Sequence, residues 1–184
     1  MQFEGKKILL GITGSIAAFK AVHLLRLFVK EGAEVRVVLS PYAENFVTKT
    51  TLSVLSNYPV YSSFSGDNGS WNSHVEMGSW ADYFIIAPVT ANTMAKMANG
   101  HVDNLLVASY LSAKCPVFFA PAMDLDMYKH PSTQINVAKL QEFGNILIEP
   151  ESGELASGLS GKGRMAEPEK ILEILLNFSA EKKN

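Results

Sequence analysis

Several short stretches of this chain gather side chains that could do chemistry, and each adjoins an apolar run. The first, GITGSIAAFK over residues 11 to 20, places Gly14 and Ser15 between a strand-like run and a helix-like one. A glycine turn and a small hydroxyl expose backbone N–H groups at the positive end of a helix dipole, a combination suited to phosphate. Gly14 supplies the tight turn, and Ser15 the N-cap and a hydroxyl donor. The stretch is not G-x-G-x-x-G, and Ser40 ends the second apolar run where an Asp or Glu would hold an adenosine ribose. A mononucleotide phosphate is therefore favoured over a dinucleotide. In APVTANTMAKMANG, residues 87 to 100, Thr90, Ala91, Asn92 and Thr93 open a helix with more polar side chains than one cap needs. In APAMDLDMY, Met123 and Met127 lie four apart around Asp124 and Asp126, a spacing that can cover a flat aromatic ligand.

Two further stretches are harder to read from type alone. His74 in NSHVEMGSWAD, by itself, reads as a surface or capping residue ahead of a strand, with Trp80 and Asp82 anchoring the strand start. SGELASGLSGKGRM, residues 152 to 165, is a poor core segment rich in glycine with Ser157 at its centre. Asp103 and Asn104 in NGHVDNLL read as structural or interfacial.

The elements that must position these residues alternate along the chain. Residues 6 to 12, 34 to 40, 82 to 89, 116 to 121 and 145 to 150 are continuous apolar runs, as strands buried on both faces should be. Residues 16 to 32, 41 to 56, 90 to 113 and 132 to 144 read as helices, with Gly32 and Gly144 at C-caps and Pro88 stopping the third strand. Residues 57 to 73 read as a short strand near 59 to 62 and then a loop, and a last helix begins near Pro168. Right-handed strand–helix–strand units give an α/β fold, a Rossmann-like, three-layer, doubly wound parallel sheet with helices on both faces. Ligands in such a sheet bind outside the carboxyl ends of the strands, where these loops fall.

Composition narrows the classes. At 184 residues with a formal charge of −2 and mixed signs, the chain suits one domain, residues 1 to 184, without a nucleic-acid-binding face. No apolar run is long enough to span a bilayer, and the first residues lack a secretory h-region, so a cytoplasmic protein is expected. One cysteine, Cys115, allows no internal disulfide, and four scattered histidines do not suggest a metal site.

Taken in order, GSIAAFK, NSHVEMGSWAD, APVTANTMAKMANG, PAMDLDMY and SGLSGKGRM resemble the motifs of the homo-oligomeric flavin-containing cysteine decarboxylases, over nearly the whole chain. The resemblance is strongest to the coenzyme A branch, which decarboxylates 4′-phosphopantothenoylcysteine to 4′-phosphopantetheine. It implies bound FMN, a trimer or a dodecamer of trimers, and a cysteine ligase that is fused or separate. It places the flavin site on Gly14, Ser15, Ile16, Ser40, Thr90, Ala91, Asn92, Thr93 and Met123, and it makes His74 the active-site histidine. It makes residues 151 to 167 a mobile substrate clamp, whose glycines allow closing and reopening. Asp124, Met127, Lys162, Gly163, Arg164 and Met165 would bind the substrate, with Lys162 and Arg164 facing its anionic groups.

The chain departs from the family at two of these positions. The proton-donating cysteine falls on Ser157, a far weaker acid than a thiol of pKa about 8.5. Asp124 stands where asparagine commonly holds the substrate carboxylate, and like charges about 4 Å apart repel by roughly 1 to 4 kcal/mol. Tyr128 replaces a frequent tryptophan. Cys115 precedes Pro116 at the far end of the sheet and cannot stand in for the thiol. The alternatives are an oxidative decarboxylase that stops at an ene-thiol, and an FMN-binding regulatory protein without turnover.

Overall fold

The computed structural model describes residues 1–66 and 69–181. Its apolar runs become β1 (Lys7–Ile12), β2 (Glu34–Leu39), β3 (Val60–Tyr61), β4 (Tyr83–Val89), β5 (Val117–Pro121) and β6 (Ile146–Leu147). They form one sheet in the order β3-β2-β1-β4-β5-β6, with every pairing parallel. This is the doubly wound arrangement expected from the sequence. The order reverses between β1 and β4, so the loops that leave their carboxyl ends diverge and open a crevice there.

Alternation along the central strands builds a core on each face. Ile8, Leu10, Ile12, Tyr83, Ile85 and Phe118 pack on one side with α1 (Ala18–Lys30) and α8 (Pro168–Glu181). Leu9, Phe84, Ile86 and Phe119 pack on the other with α4 (Ala91–Asn99), α5 (Leu105–Leu111) and α7 (Pro131–Glu142). Helix α1 buries Ala18, Ala21, Leu24, Leu25 and Phe28, a three-and-four spacing that keeps one stripe on the sheet. The remaining helices are α2 (Lys49–Ser56), α3 (His74–Trp80) and α6 (Leu125–Lys129).

Capping chemistry divides what apolar periodicity alone joins. The predicted helix over 90 to 113 is two, because Gly100 takes a left-handed turn at φ +66° and Asn104 caps α5 through Val107 N–H at 3.1 Å. The predicted helix over 41 to 56 is a short 3-10 turn at Pro41–Asn45 followed by α2, which Thr48 caps. Helix α3, which follows the predicted loop and to which the sequence reading gave no element, starts where the Ser73 hydroxyl accepts from Glu76 N–H at 3.2 Å. The S-x-x-E spacing of a capping box was its signal. Pro88 does not stop β4, which runs on to Val89; the pairing with β5 shifts register there instead.

The largest difference lies in the glycine-rich stretch. Residues 151 to 167 hold an antiparallel hairpin of β7 (Glu151–Glu154) and β8 (Ser160–Arg164), apart from the main sheet. Its three-residue turn, Ala156 to Gly158, closes through Gly158 N–H to Leu155 O at 2.9 Å, with Gly158 at φ +83°. Two other glycines serve contact. A Cβ on Gly161 would lie 2.5 Å from Leu125 Cδ1, and one on Gly163 would lie 2.4 Å from Met123 O. These glycines press the hairpin against the first residue of α6 and the loop before it, a different role from hinge freedom.

Candidate functional site

Two adjoining clefts open at the carboxyl edge of the sheet. The first, of about 600 Å³, lies over the β1–β4 crevice. Thr13 joins its two main loops: its buried hydroxyl donates to Pro88 O at 2.9 Å and accepts from Thr90 N–H at 3.0 Å. Thr90 caps α4, accepting from Thr93 N–H at 3.3 Å, and α4 has no acidic residue in its first turn. Its first-turn N–H groups and dipole thus face the cleft with no carboxylate in the helix's own first turn.

Gly14 lines this cleft for a reason of space. A Cβ there would meet Tyr42 Cδ1 at 2.7 Å, so only glycine lets the β1 loop approach the 3-10 turn after β2. Ser15 is not the N-cap of α1, which begins at Ala18 with Ala17 as cap; its hydroxyl accepts from Ala17 N–H at 3.2 Å within the preceding turn. Ser40, Ala91, Asn92, Met123 and Met127 complete the expected lining. Met127, expected at the substrate, falls on this side. The sequence reading missed Tyr42 and Lys96 and read Asp103 and Asn104 as structural or interfacial; all four line the cleft, and Asn104 also caps α5. Lys96 bonds Asp103 directly, and that hydrogen bond first of all holds the Asp103 carboxyl below its ordinary value.

The second cleft, of about 340 Å³, lies under the hairpin and shares Ser15, Ala122 and Met123 with the first. Ile16, Asp124, Ser157, Gly163, Arg164 and Met165 line it as expected. Met123 N–H donates to Gly163 O at 3.1 Å, which fixes the hairpin to the wall between the clefts. Asp124 caps α6, accepting from Leu125 N–H at 2.6 Å. Ser157 sits at the exposed hairpin turn, and Glu154 lines the same cleft.

Lys20 is the residue that sequence reasoning missed here. Its ammonium is buried and donates to Met165 O and to Glu167 Oε1, both at 2.9 Å. Arg164 donates to the same Glu167 oxygen at 2.6 Å. The Lys20 hydrogen bond is the main cause of the lowered Glu167 pKa. The last residue of GSIAAFK carried no signal by itself, since its carboxylate partner lies 147 positions away.

Two expected site residues lie elsewhere. Lys162 pairs with Glu149 at 2.6 Å and sits over the Tyr128 ring, outside both clefts. His74 opens α3, edge-on to Phe64 at 5.9 Å, and lines neither cleft. Its Nδ1 is buried without a hydrogen-bond partner among the described residues. Asp82 accepts from Lys7 N–H at 2.9 Å at the start of β4, and Arg36 stacks 4.3 Å over Trp80. Cys115 is half-buried just before β5, at the sheet's opposite edge. Among the described residues, no acidic, histidine and cysteine cluster could hold a metal, and no helix is long and apolar enough to cross a membrane.

The chain is 57% identical over 138 residues to a cysteine/cysteine sulfinic acid decarboxylase from an unknown prokaryotic organism, covering 74% of this chain and 38% of that one. It is 43% identical over 171 residues to a Streptococcus mutans protein named probable phosphopantothenoylcysteine decarboxylase, covering 91% of this chain and 96% of that one. A solved cysteine-to-serine variant of PPC decarboxylase, complexed with pantothenoylaminoethenethiol, superposes with a TM-score of 0.85 at 37% identity, covering 95% and 98% of the two chains. The chain spans less than half the length of several curated relatives, 44% and 46% for two bifunctional coenzyme A biosynthesis proteins. The flavoprotein family model matches residues 2–179, and with a phosphate-suited crevice at the switch point of its parallel sheet, the chain belongs to the flavoprotein family.

Proposed function

We propose that this chain is an FMN-dependent carboxy-lyase that converts 4′-phosphopantothenoylcysteine to 4′-phosphopantetheine in coenzyme A biosynthesis. The observation that carries this reading is the pair of clefts with a common wall of Ser15, Ala122 and Met123, one suited to a phosphorylated planar cofactor and the other to a substrate beneath a hairpin. The residues present fit FMN. The Gly14–Tyr42 approach leaves backbone N–H groups at the cleft, the acid-free N-terminus of α4 suits the phosphate, and Met123 stands where a ring system would meet the second cleft.

FMN held by Gly14, Ser15 and the N-terminus of α4 would supply a hydride acceptor for the cysteine Cβ, the electron sink without which the carboxylate cannot leave as carbon dioxide. The chain's own residues do the rest. Lys20 and Arg164 supply positive charge for the substrate's anionic end, and the hairpin covers the reacting atoms from water. Ser157 or Glu154, both in this cleft, would pass a proton to the carbon that loses the carboxylate. His74 moves the thiol proton, and because it lies outside both clefts, a second copy of the chain brings it to them. The working form is accordingly a homo-oligomer, a trimer or a dodecamer of trimers, in the cytoplasm. Residues 1 to 184 form its single flavoprotein domain, and the cysteine ligase that supplies the substrate is fused to it or separate.

A second reading ends the reaction at the ene-thiol. Its support is Ser157, since a cysteine-to-serine variant of PPC decarboxylase is the one complexed with pantothenoylaminoethenethiol. Anaerobic mixing of FMN-loaded protein with 4′-phosphopantothenoylcysteine, followed by flavin absorbance and product mass, decides. Phosphopantetheine with oxidised flavin supports the first reading; bleached flavin with a product two hydrogens lighter supports the second. No change in either signal refutes both.

A further inference from the structure

The ionisable lining of the second cleft is balanced: Lys20 and Arg164 against Asp124 and Glu154. The two cations converge on one oxygen. Lys20 Nζ and Arg164 Nη2 both donate to Glu167 Oε1, at 2.9 and 2.6 Å, so a single carboxylate offsets two positive charges. That wall keeps a surplus positive charge, and the Lys20 side chain is only 8% exposed, so water screens it little. Asp124 is the converse. Its Oδ1 accepts from the neutral Leu125 N–H, and among the described residues it makes no ion pair.

A carboxylate lacking a cation and a wall with surplus positive charge, in one cleft of about 340 Å³, complement a small ligand bearing an ammonium and a carboxylate. We propose that this cleft also takes free, unacylated L-cysteine, with Asp124 receiving the α-ammonium and the Lys20–Arg164 wall the α-carboxylate. The proposal rests on the decarboxylase reading and widens its substrate class. It gives Asp124 a cation to receive, where the acylated cysteine of the first reading, its nitrogen a neutral amide, offers none. A charge-assisted hydrogen bond to an ammonium is roughly twice as strong as its neutral counterpart.

The reaction balances without a new reagent. The Cα–carboxylate bond breaks and carbon dioxide leaves, a proton takes its place on Cα, and the hydride lent from Cβ to the flavin returns there. L-cysteine thus gives cysteamine with no net oxidation. If the cycle stops at the ene-thiol, the two electrons remain on the flavin.

The test compares FMN-loaded wild type and Asp124→Asn with L-cysteine, N-acetyl-L-cysteine and 4′-phosphopantothenoylcysteine, reading carbon dioxide, flavin bleaching and KM separately from kcat. Asparagine keeps the helix cap and the shape of the side chain, and flavin absorbance of the variant reports its folding. Wild type is expected to release carbon dioxide from L-cysteine. In the variant, kcat/KM for L-cysteine should fall about tenfold relative to N-acetyl-L-cysteine, mostly through KM. Turnover of 4′-phosphopantothenoylcysteine without L-cysteine, or an equal effect of the variant on the acylated and free substrates, overturns this inference alone. Silence with all three compounds overturns the decarboxylase reading as well.

Discussion

At the scale of single residues, the site is set by a few contacts that tolerate no extra atom and a few hydroxyls with fixed partners. Gly14→Ala would drive a methyl to 2.7 Å from Tyr42 Cδ1 and 3.1 Å from the Tyr42 carbonyl carbon. Overpacking of this kind costs about 1–3 kcal/mol, so flavin should bind about ten- to a hundredfold more weakly in a fluorescence titration. An unchanged Kd would show that this approach does not shape the cofactor site. Ser157→Cys places a thiol of pKa about 8.5 at the hairpin turn and should raise the share of saturated over ene-thiol product in single-turnover mass analysis. The sequence made Gly14, Thr90, Asn92 and Thr93 legible because turn and capping preferences are local. Thr13, Lys20 and Tyr42 were not, because each acts through a partner from another part of the chain: the Thr13 hydroxyl joins Pro88 and Thr90, 75 and 77 positions away.

At the scale of elements, the hairpin matters most, and it was the least legible. Period-two alternation of apolar side chains betrays a half-buried strand, and ESGE and SGKGR have almost none. The central strands were plain for the opposite reason, being continuously apolar. The hairpin docks through Gly161, Gly163 and the Met123–Gly163 hydrogen bond, and it is tied at its base by Lys20, Arg164 and Glu167. Gly163→Ala, with a methyl 2.4 Å from a backbone oxygen, should undock it and speed proteolysis at the turn of residues 156 to 158, while thermal unfolding of the main sheet moves little. The base tie also titrates. Because the Glu167 carboxyl is held below its usual 4.5, its contribution is complete above that value and is lost as pH falls through the lowered one. Hydrogen-exchange protection at residues 155 to 159, measured against the intrinsic rate at each pH, should therefore fall on acidification below about pH 4.5, and Glu167→Gln should remove that change. Equal protection at pH 7 and at the acid end would contradict the tie.

At the scale of the whole molecule, the order of the six strands opens the crevice between β1 and β4, and both clefts follow from the loops that leave it. His74 lines neither cleft of the single chain, so the proposed reaction needs a second copy to bring it there. His74→Asn should lower kcat by about 10²–10⁴-fold while flavin absorbance in the purified protein is unchanged, since His74 lines neither cleft. Loss of flavin in that variant would move His74 into the cofactor site. The most direct test of the account is release of labelled carbon dioxide from 4′-phosphopantothenoylcysteine carrying ¹³C in its cysteine carboxyl, measured with the protein stripped of FMN and again after reloading. Release that appears only on reloading, matched to loss of the substrate, is the expected result; none in either state, or the same release from both, would contradict it.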